Sequence, residues 1–113
     1  MKINGQVSRM VLLTQENRAA LPPLYATEGV EPAQKVVQVK FFNPCGRGTW
    51  YAVEFDGDDT FFGYVVSNLG ADCDEWGYFS LTELAQVRGP FGIGIERDRH
   101  FRPGPVPQLV GAE

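Results

Sequence analysis

The chain has 113 residues, 43% of them hydrophobic, 12% aromatic and 21% charged, with a formal net charge of -4. A length of this order supports one domain around one core and excludes a second. Eight Phe, four Tyr and two Trp exclude a disordered chain, and no apolar run approaches the roughly 18 residues of a membrane span.

The first element expected is a short helix over 15–20. Thr14 can cap it, Glu16 suits the positive end of its dipole, and Pro22-Pro23 ends it. Residues 24–33 read as an irregular connection punctuated by Gly29 and Pro32, with Leu24 and Tyr25 anchoring it to the core. From Lys35 the apolar period becomes two: Val37, Val39 and Phe41 share a face. After the Asn43-Pro44-Cys45-Gly46 turn, the alternation over 49–55 places Tyr51, Val53 and Phe55 on one face and Trp50, Ala52 and Glu54 on the other. Asp56-Gly57-Asp58-Asp59 is a hairpin connection into a strand over 60–67 that aligns Phe62, Tyr64 and Val66. A polar loop leads to a short strand over 76–79. Ser80-Leu81-Thr82-Glu83 then has the spacing of a capping box and opens a helix over 81–87, closed by Gly89-Pro90. A last extended segment is expected over 95–101.

The fold expected is therefore α+β, an antiparallel meander sheet of four or five strands carrying two short helices. Its domain spans 12–103, with an N-terminal extension over 1–11 and a Pro/Gly-rich mobile tail over 104–113. The start, polar over 1–9 with only four apolar residues at 10–13, lacks the apolar stretch of an export signal. Cys45 and Cys73 are too far apart for a metal or redox Cys-x-x-Cys motif, and Asp72 and Asp74 disfavour a Cys73 thiolate. Free thiols and a cytoplasmic location are expected.

Charge is unevenly distributed. Residues 1–47 carry six basic and three acidic side chains, whereas 48–87 carry eight acidic ones and no Lys or Arg. The expected partner is accordingly a protein with a basic surface, such as one that processes or defends against nucleic acid, meeting the acidic and aromatic surface around Trp50, Glu54, Asp56, Asp58, Asp59 and Trp76. The bland reading of the same acids is solvated turns.

Catalytic motifs are scarce. His100 is the one histidine, no serine stands in a Gly-x-Ser-x-Gly setting, and no phosphate loop is present. No cofactor is expected. If 95–101 is extended, Glu96, Asp98 and His100 share a face and could hold a divalent metal, completed by Glu54 or Asp56, for assisted hydrolysis of a phosphodiester. The ordinary reading is that Glu96 and Asp98 pair with arginines on a polar strand face, and Arg97 is expected to form an ion pair with Glu54 or Asp56. Arg97, Arg99 and Arg102 around Phe101 could bind single-stranded nucleic acid, although the net negative charge makes direct nucleic-acid binding poor.

The succession Leu-Pro-Pro-Leu-Tyr-Ala-Thr-Glu at 21–28, Val-Lys-Phe-Phe at 39–42, Trp-Tyr-Ala-x-Glu-Phe-Asp-Gly at 50–57, Thr-Phe-Phe-Gly at 60–63, Gly-Tyr-Phe-Ser-Leu-x-Glu-Leu at 77–84 and Ile-Glu-Arg-Asp at 95–98 resembles a family of small bacterial proteins of unknown function, often carried on plasmids, conjugative elements and related mobile DNA. The resemblance runs from about Leu12 to Pro103. It implies an accessory role in mobile DNA within a bacterial cytoplasm, without an activity or catalytic residue to transfer. Members that it resembles begin near Leu-Leu-Thr, which makes Met10 an alternative start.

Overall fold

The computed structural model describes residues 11–67 and 74–106. Helix α1 (Gln15–Ala20) starts with a reciprocal cap: the Thr14 hydroxyl accepts from the Asn17 N–H, and the Asn17 side chain accepts from the Thr14 N–H, both at 3.0 Å. Two otherwise unpaired donors are satisfied at once. The chain leaves the helix at Leu21, and the Pro22 carbonyl accepts the Phe55 N–H at 2.9 Å. Residues 24–30 are turns and Pro32–Gln34 is one 3-10 turn, so the connection is irregular, as its Gly and Pro spacing predicts.

Strands β1 (Val36–Val37), β2 (Val39–Phe42), β3 (Thr49–Phe55), β4 (Thr60–Val66), β5 (Glu75–Ser80), β6 (Glu96–Arg97) and β7 (Gly104–Pro105) follow. Five form an antiparallel sheet in the order β5-β4-β3-β2-β6, so β2 to β5 make the expected meander and β6 returns beside β2. β1 and β7 pair separately as a two-stranded ribbon. Helix α2 (Leu81–Gln86) continues directly from β5.

The sheet buries both faces. On the first lie Val39, Phe41, Ala52, Phe55 and Phe61, covered by Leu13, Leu21, Leu84 and Ile95. Phe61 is its hub, stacked on Phe55 at 4.5 Å and Phe79 at 5.1 Å and tilted against Phe41 at 5.4 Å. On the second face Tyr51, Val53 and Val66 pack with Val37 and Val106 from the ribbon.

Strict alternation along β3 puts Phe55 with Tyr51 and Val53, but the register shifts between Ala52 and Glu54. Ala52 pairs with Gly63, Glu54 with Phe62 and Phe55 with Phe61, so one extra residue is accommodated at Val53. This bulge returns Phe55 to the face of Trp50 and Ala52 and sends Glu54 to the other. A two-residue period cannot reveal it, because a bulge changes the phase without interrupting the apolar run.

Three further expectations are corrected. The segment over 95–101 is extended only at Glu96–Arg97; beyond it the Asp98 side chain accepts the His100 N–H at 2.9 Å and its carbonyl the Phe101 N–H at 3.3 Å, which turns the chain. Gly104–Pro105, assigned to the mobile tail, pair with Val36–Val37, and Val106 is buried. Pro105 is compatible with this because a two-stranded ribbon leaves an outer edge where no N–H is required. At α2 the Ser80 hydroxyl accepts the Glu83 N–H at 3.1 Å as expected, but the reciprocal partner is Asp59 rather than the Glu83 side chain. Asp59 accepts from the Ser80 hydroxyl at 2.6 Å, and from the Thr82 N–H at 2.8 Å and hydroxyl at 2.6 Å. Helix α2 ends at Gln86, with Val87 as its cap.

Backbone crowding at the bulge makes Gly63 obligatory. A Cβ there would lie 1.8 Å from the Tyr51 carbonyl oxygen, whereas one on the neighbouring Gly77 would meet nothing within 4 Å. Gly63→Ala is expected to destabilise the fold by more than about 3 kcal/mol, and Gly77→Ala to change it by under about 1 kcal/mol. Urea denaturation of both variants measures the difference.

Candidate functional site

Glu54, turned inward by the bulge, is 3% exposed. Its carboxylate accepts from the Tyr25 N–H at 2.8 Å, from the Thr27 N–H at 2.9 Å and from the Thr27 hydroxyl. Lys35, itself buried, donates to the Thr27 carbonyl and, at 2.9 Å, to the Thr27 hydroxyl. Burial pushes the Glu54 carboxyl up, but the Thr27 hydroxyl, the Tyr25 and Thr27 N–H groups and the Lys35 charge outweigh it and hold the group below its ordinary value. Tyr25 adopts a left-handed φ of 72°, which costs a bulky residue about 1 kcal/mol or more. Three charge-assisted bonds to Glu54 in this turn offset that strain. Tyr25 thus anchors the connection through its N–H, while the residue as a whole is 62% exposed.

Beside this cluster an aromatic ladder runs over β4 and β5. Register places Tyr64 opposite Trp76 and Phe62 opposite Tyr78. Trp76 meets Tyr64 edge-on at 5.4 Å and stacks on Phe62 at 5.8 Å, and Phe62 tilts against Tyr78 at 5.2 Å. The Lys35 ammonium lies 6.0 Å from the Phe62 ring centre. Phe62, Tyr64 and Trp76 are half-buried; Tyr78, at the sheet edge, is 56% exposed. A hydrogen bond with Tyr25 raises the Tyr78 hydroxyl above its ordinary value.

The residues assigned from sequence to one acidic and aromatic surface are distributed over several places. Trp50 is half-buried against the first-face core, and Trp76 stands on the opposite face. Glu54 is interior. The Asp56 carboxylate accepts the N–H groups of Asp58 at 2.8 Å, Asp59 at 2.9 Å and Thr60 at 3.0 Å, which hold it below the usual range. Asp59 is lowered by the Ser80 and Thr82 hydroxyls and the Thr82 N–H. These two aspartates therefore organise a hairpin and a helix cap, while Asp58 is exposed.

The 96–102 segment is dispersed too. Glu96 pairs with Phe42 on the second face and Arg97 with Phe41 on the first, where the Arg97 guanidinium donates to the Val11 carbonyl. Glu54 stands on the second face and Asp56 at the hairpin, so the expected ion pair of Arg97 with either is not the arrangement adopted. Asp98 faces Lys40 at 3.9 Å, His100 is exposed, and among the described residues no three His, Cys, Asp or Glu side chains converge as metal ligands. Arg99 and Arg102 are exposed, but Phe101 packs against the second-face core instead of standing beside them. An open groove of about 360 Å³ is lined by both signs of charge, including Glu16, Arg97, Asp98 and Arg99. Cys45 is an exposed free thiol, while Asp72 and Cys73 lie outside the described residues. No helix among the described residues is long and apolar enough to cross a membrane.

The Glu54 cluster has a pH signature. Its folded carboxyl titrates below the ordinary glutamate value of 4.5, so between the two values the unfolded chain binds more protons and stability rises with pH. The contribution is complete above that ordinary value and disappears as pH falls through the folded one. Glu54→Gln keeps the volume but cannot accept at both atoms; it is expected to cost about 2 kcal/mol at neutral pH and to flatten the acid limb of stability. Urea midpoints measured from pH 7 to pH 3 check both.

Residues 12–106 match a family described as Protein of unknown function (DUF2958). Neither a curated protein nor a solved structure matches the chain. With its sheet, both helices and the Glu54 tie all inside that span, the chain belongs to the DUF2958 family.

Proposed function

We propose that this protein is a non-catalytic accessory factor of mobile genetic elements that works in the bacterial cytoplasm by binding a protein partner. The setting rests on the resemblance of its motifs to small proteins of mobile DNA. The observation that carries the binding role is Tyr78: an aromatic residue 56% exposed, its ring tilted against a ladder whose other members are half-buried and therefore held in place. Pre-positioned aromatic side chains lose little conformational freedom on association and are favoured as interface anchors. The acidic share of the surface comes from Asp58, Glu75 and Glu83, all exposed, in place of the Glu54 and Asp56 assigned from sequence. Such charge favours encounter with a basic partner.

The immobilised full chain is expected to retain a discrete protein from lysate of a bacterium carrying its gene, and to release it as salt rises. Tyr78→Ala should lower the affinity for that protein by about 2 kcal/mol, the scale of an aromatic hot spot. Near-UV circular dichroism establishes that the variant is folded. Retention unaffected by Tyr78→Ala, or retention of nucleic acid in place of protein, contradicts the proposal.

A further inference from the structure

The two edges of the main sheet are treated differently. On one side β6 is only two residues long, a length that gives another strand little to pair with. On the other, β5 extends over six residues without a Lys or Pro to blunt it. The direction of its peptide groups follows from the hairpin. The Asp56 N–H donates to the Thr60 carbonyl at 2.9 Å, so Thr60 turns its backbone toward β3. Alternation then turns Phe61, Gly63 and Val65 toward β5, in phase with the Asp59 carbonyl that accepts the Leu81 N–H at 2.8 Å. By register these residues meet Phe79, Gly77 and Glu75. The N–H and C=O groups of Trp76 and Tyr78 consequently point away from the sheet, and among the described residues no strand pairs with them.

From this geometry we infer that β5 is a site of strand addition, and that its occupant is an extended, basic segment of the partner protein. The inference rests on the proposed interaction role and specifies its mode. A strand laid along β5 satisfies the open backbone groups of Trp76 and Tyr78, and every second side chain lands beside their rings on the second face. Its intervening side chains fall on the first face beside Glu75, which is exposed. Charge selects the class of occupant: β3, β4, β5 and α2 lie in the 48–87 stretch that has no Lys or Arg, and Glu83 on α2 is exposed as well. Lys35 and Arg47 reach this region from outside that stretch and both are engaged: Lys35, over Phe62, donates to Thr27, and Arg47 stands 4.0 Å from Asp74. A second copy of the chain would bring two acidic edges together, whereas lysine or arginine at alternate positions complements this one.

The probe is a blocked synthetic heptapeptide alternating lysine and valine, titrated into the nitrogen-15-labelled full chain at low salt. The amide signals of Trp76 and Tyr78 are expected to shift and their hydrogen exchange to slow by about tenfold or more. N-methylation of the peptide at the positions facing β5 keeps its charge and removes its backbone donors, and should weaken binding by about tenfold or more. A glutamate and valine heptapeptide should not bind. Equal binding of the N-methylated peptide overturns strand addition while leaving the surface as an interaction site; binding that ignores Tyr78→Ala, or shifts confined to other surfaces, overturns both. Absence of binding at millimolar lysine and valine peptide overturns strand addition, and retention of the lysate protein then judges the interaction role separately.

Discussion

The inward-facing carboxylate of Glu54 holds this fold together. A buried charge is tolerated only where several donors replace the water it loses. Here the donors are the Tyr25 and Thr27 N–H groups and the Thr27 hydroxyl, all from a connection with no regular secondary structure apart from one 3-10 turn. That carboxylate therefore serves the irregular segment as a strand ladder would, giving its peptide groups partners in the sheet. Lys35 completes the arrangement through Thr27 and lies over Phe62. Loss of the carboxylate would leave backbone donors, a hydroxyl and an ammonium to be satisfied together, so the cluster is expected to form and open as one unit.

The aromatic edge of the second face is arranged around this tie. The Val53 bulge supplies Glu54 to that face, and the same irregularity presses the β3 backbone onto Gly63. Once the connection is pinned at Tyr25 and Thr27, Phe62 is partly covered and Trp76 has a rigid ring to stack on, leaving Tyr78 as the exposed rung on a strand edge that no other described strand pairs. The proposed binding mode uses that rigidity. Little side-chain entropy is left to lose at Trp76, and the backbone groups of β5 are already aligned for a further strand.

The sequence made the meander readable because its signals are local: alternation over 39–42 and 60–66, Asp and Gly in the connecting turn, and hydroxyl caps at Thr14 and Ser80. Its hidden features involve contacts distant along the chain. Nothing around Glu54 announces a bulge, so it reads as a surface acid among acids, and the donors that satisfy it come from residues 25 and 27 in an apparent loop. Asp59 reads as a turn residue, yet its carboxylate caps a helix that begins at Leu81. Phe101 reads as an aromatic among arginines, but Asp98 turns the chain and delivers its ring to the core. Gly104–Pro105 read as tail by composition, which cannot foresee that Val36–Val37 will need a partner. Residue type alone groups Trp50 with Trp76, while strand register separates them onto opposite faces.

The most direct measurement of the Glu54 tie is amide hydrogen exchange at Tyr25 and Thr27, followed by nuclear magnetic resonance at pH 7. Both N–H groups lie in turns on a largely exposed segment, where exchange is ordinarily close to that of a free peptide. If the carboxylate carries the connection, both should be protected to the same degree as each other and approach the protection of β3. Free-peptide exchange at either amide, with β3 protected, would contradict the account.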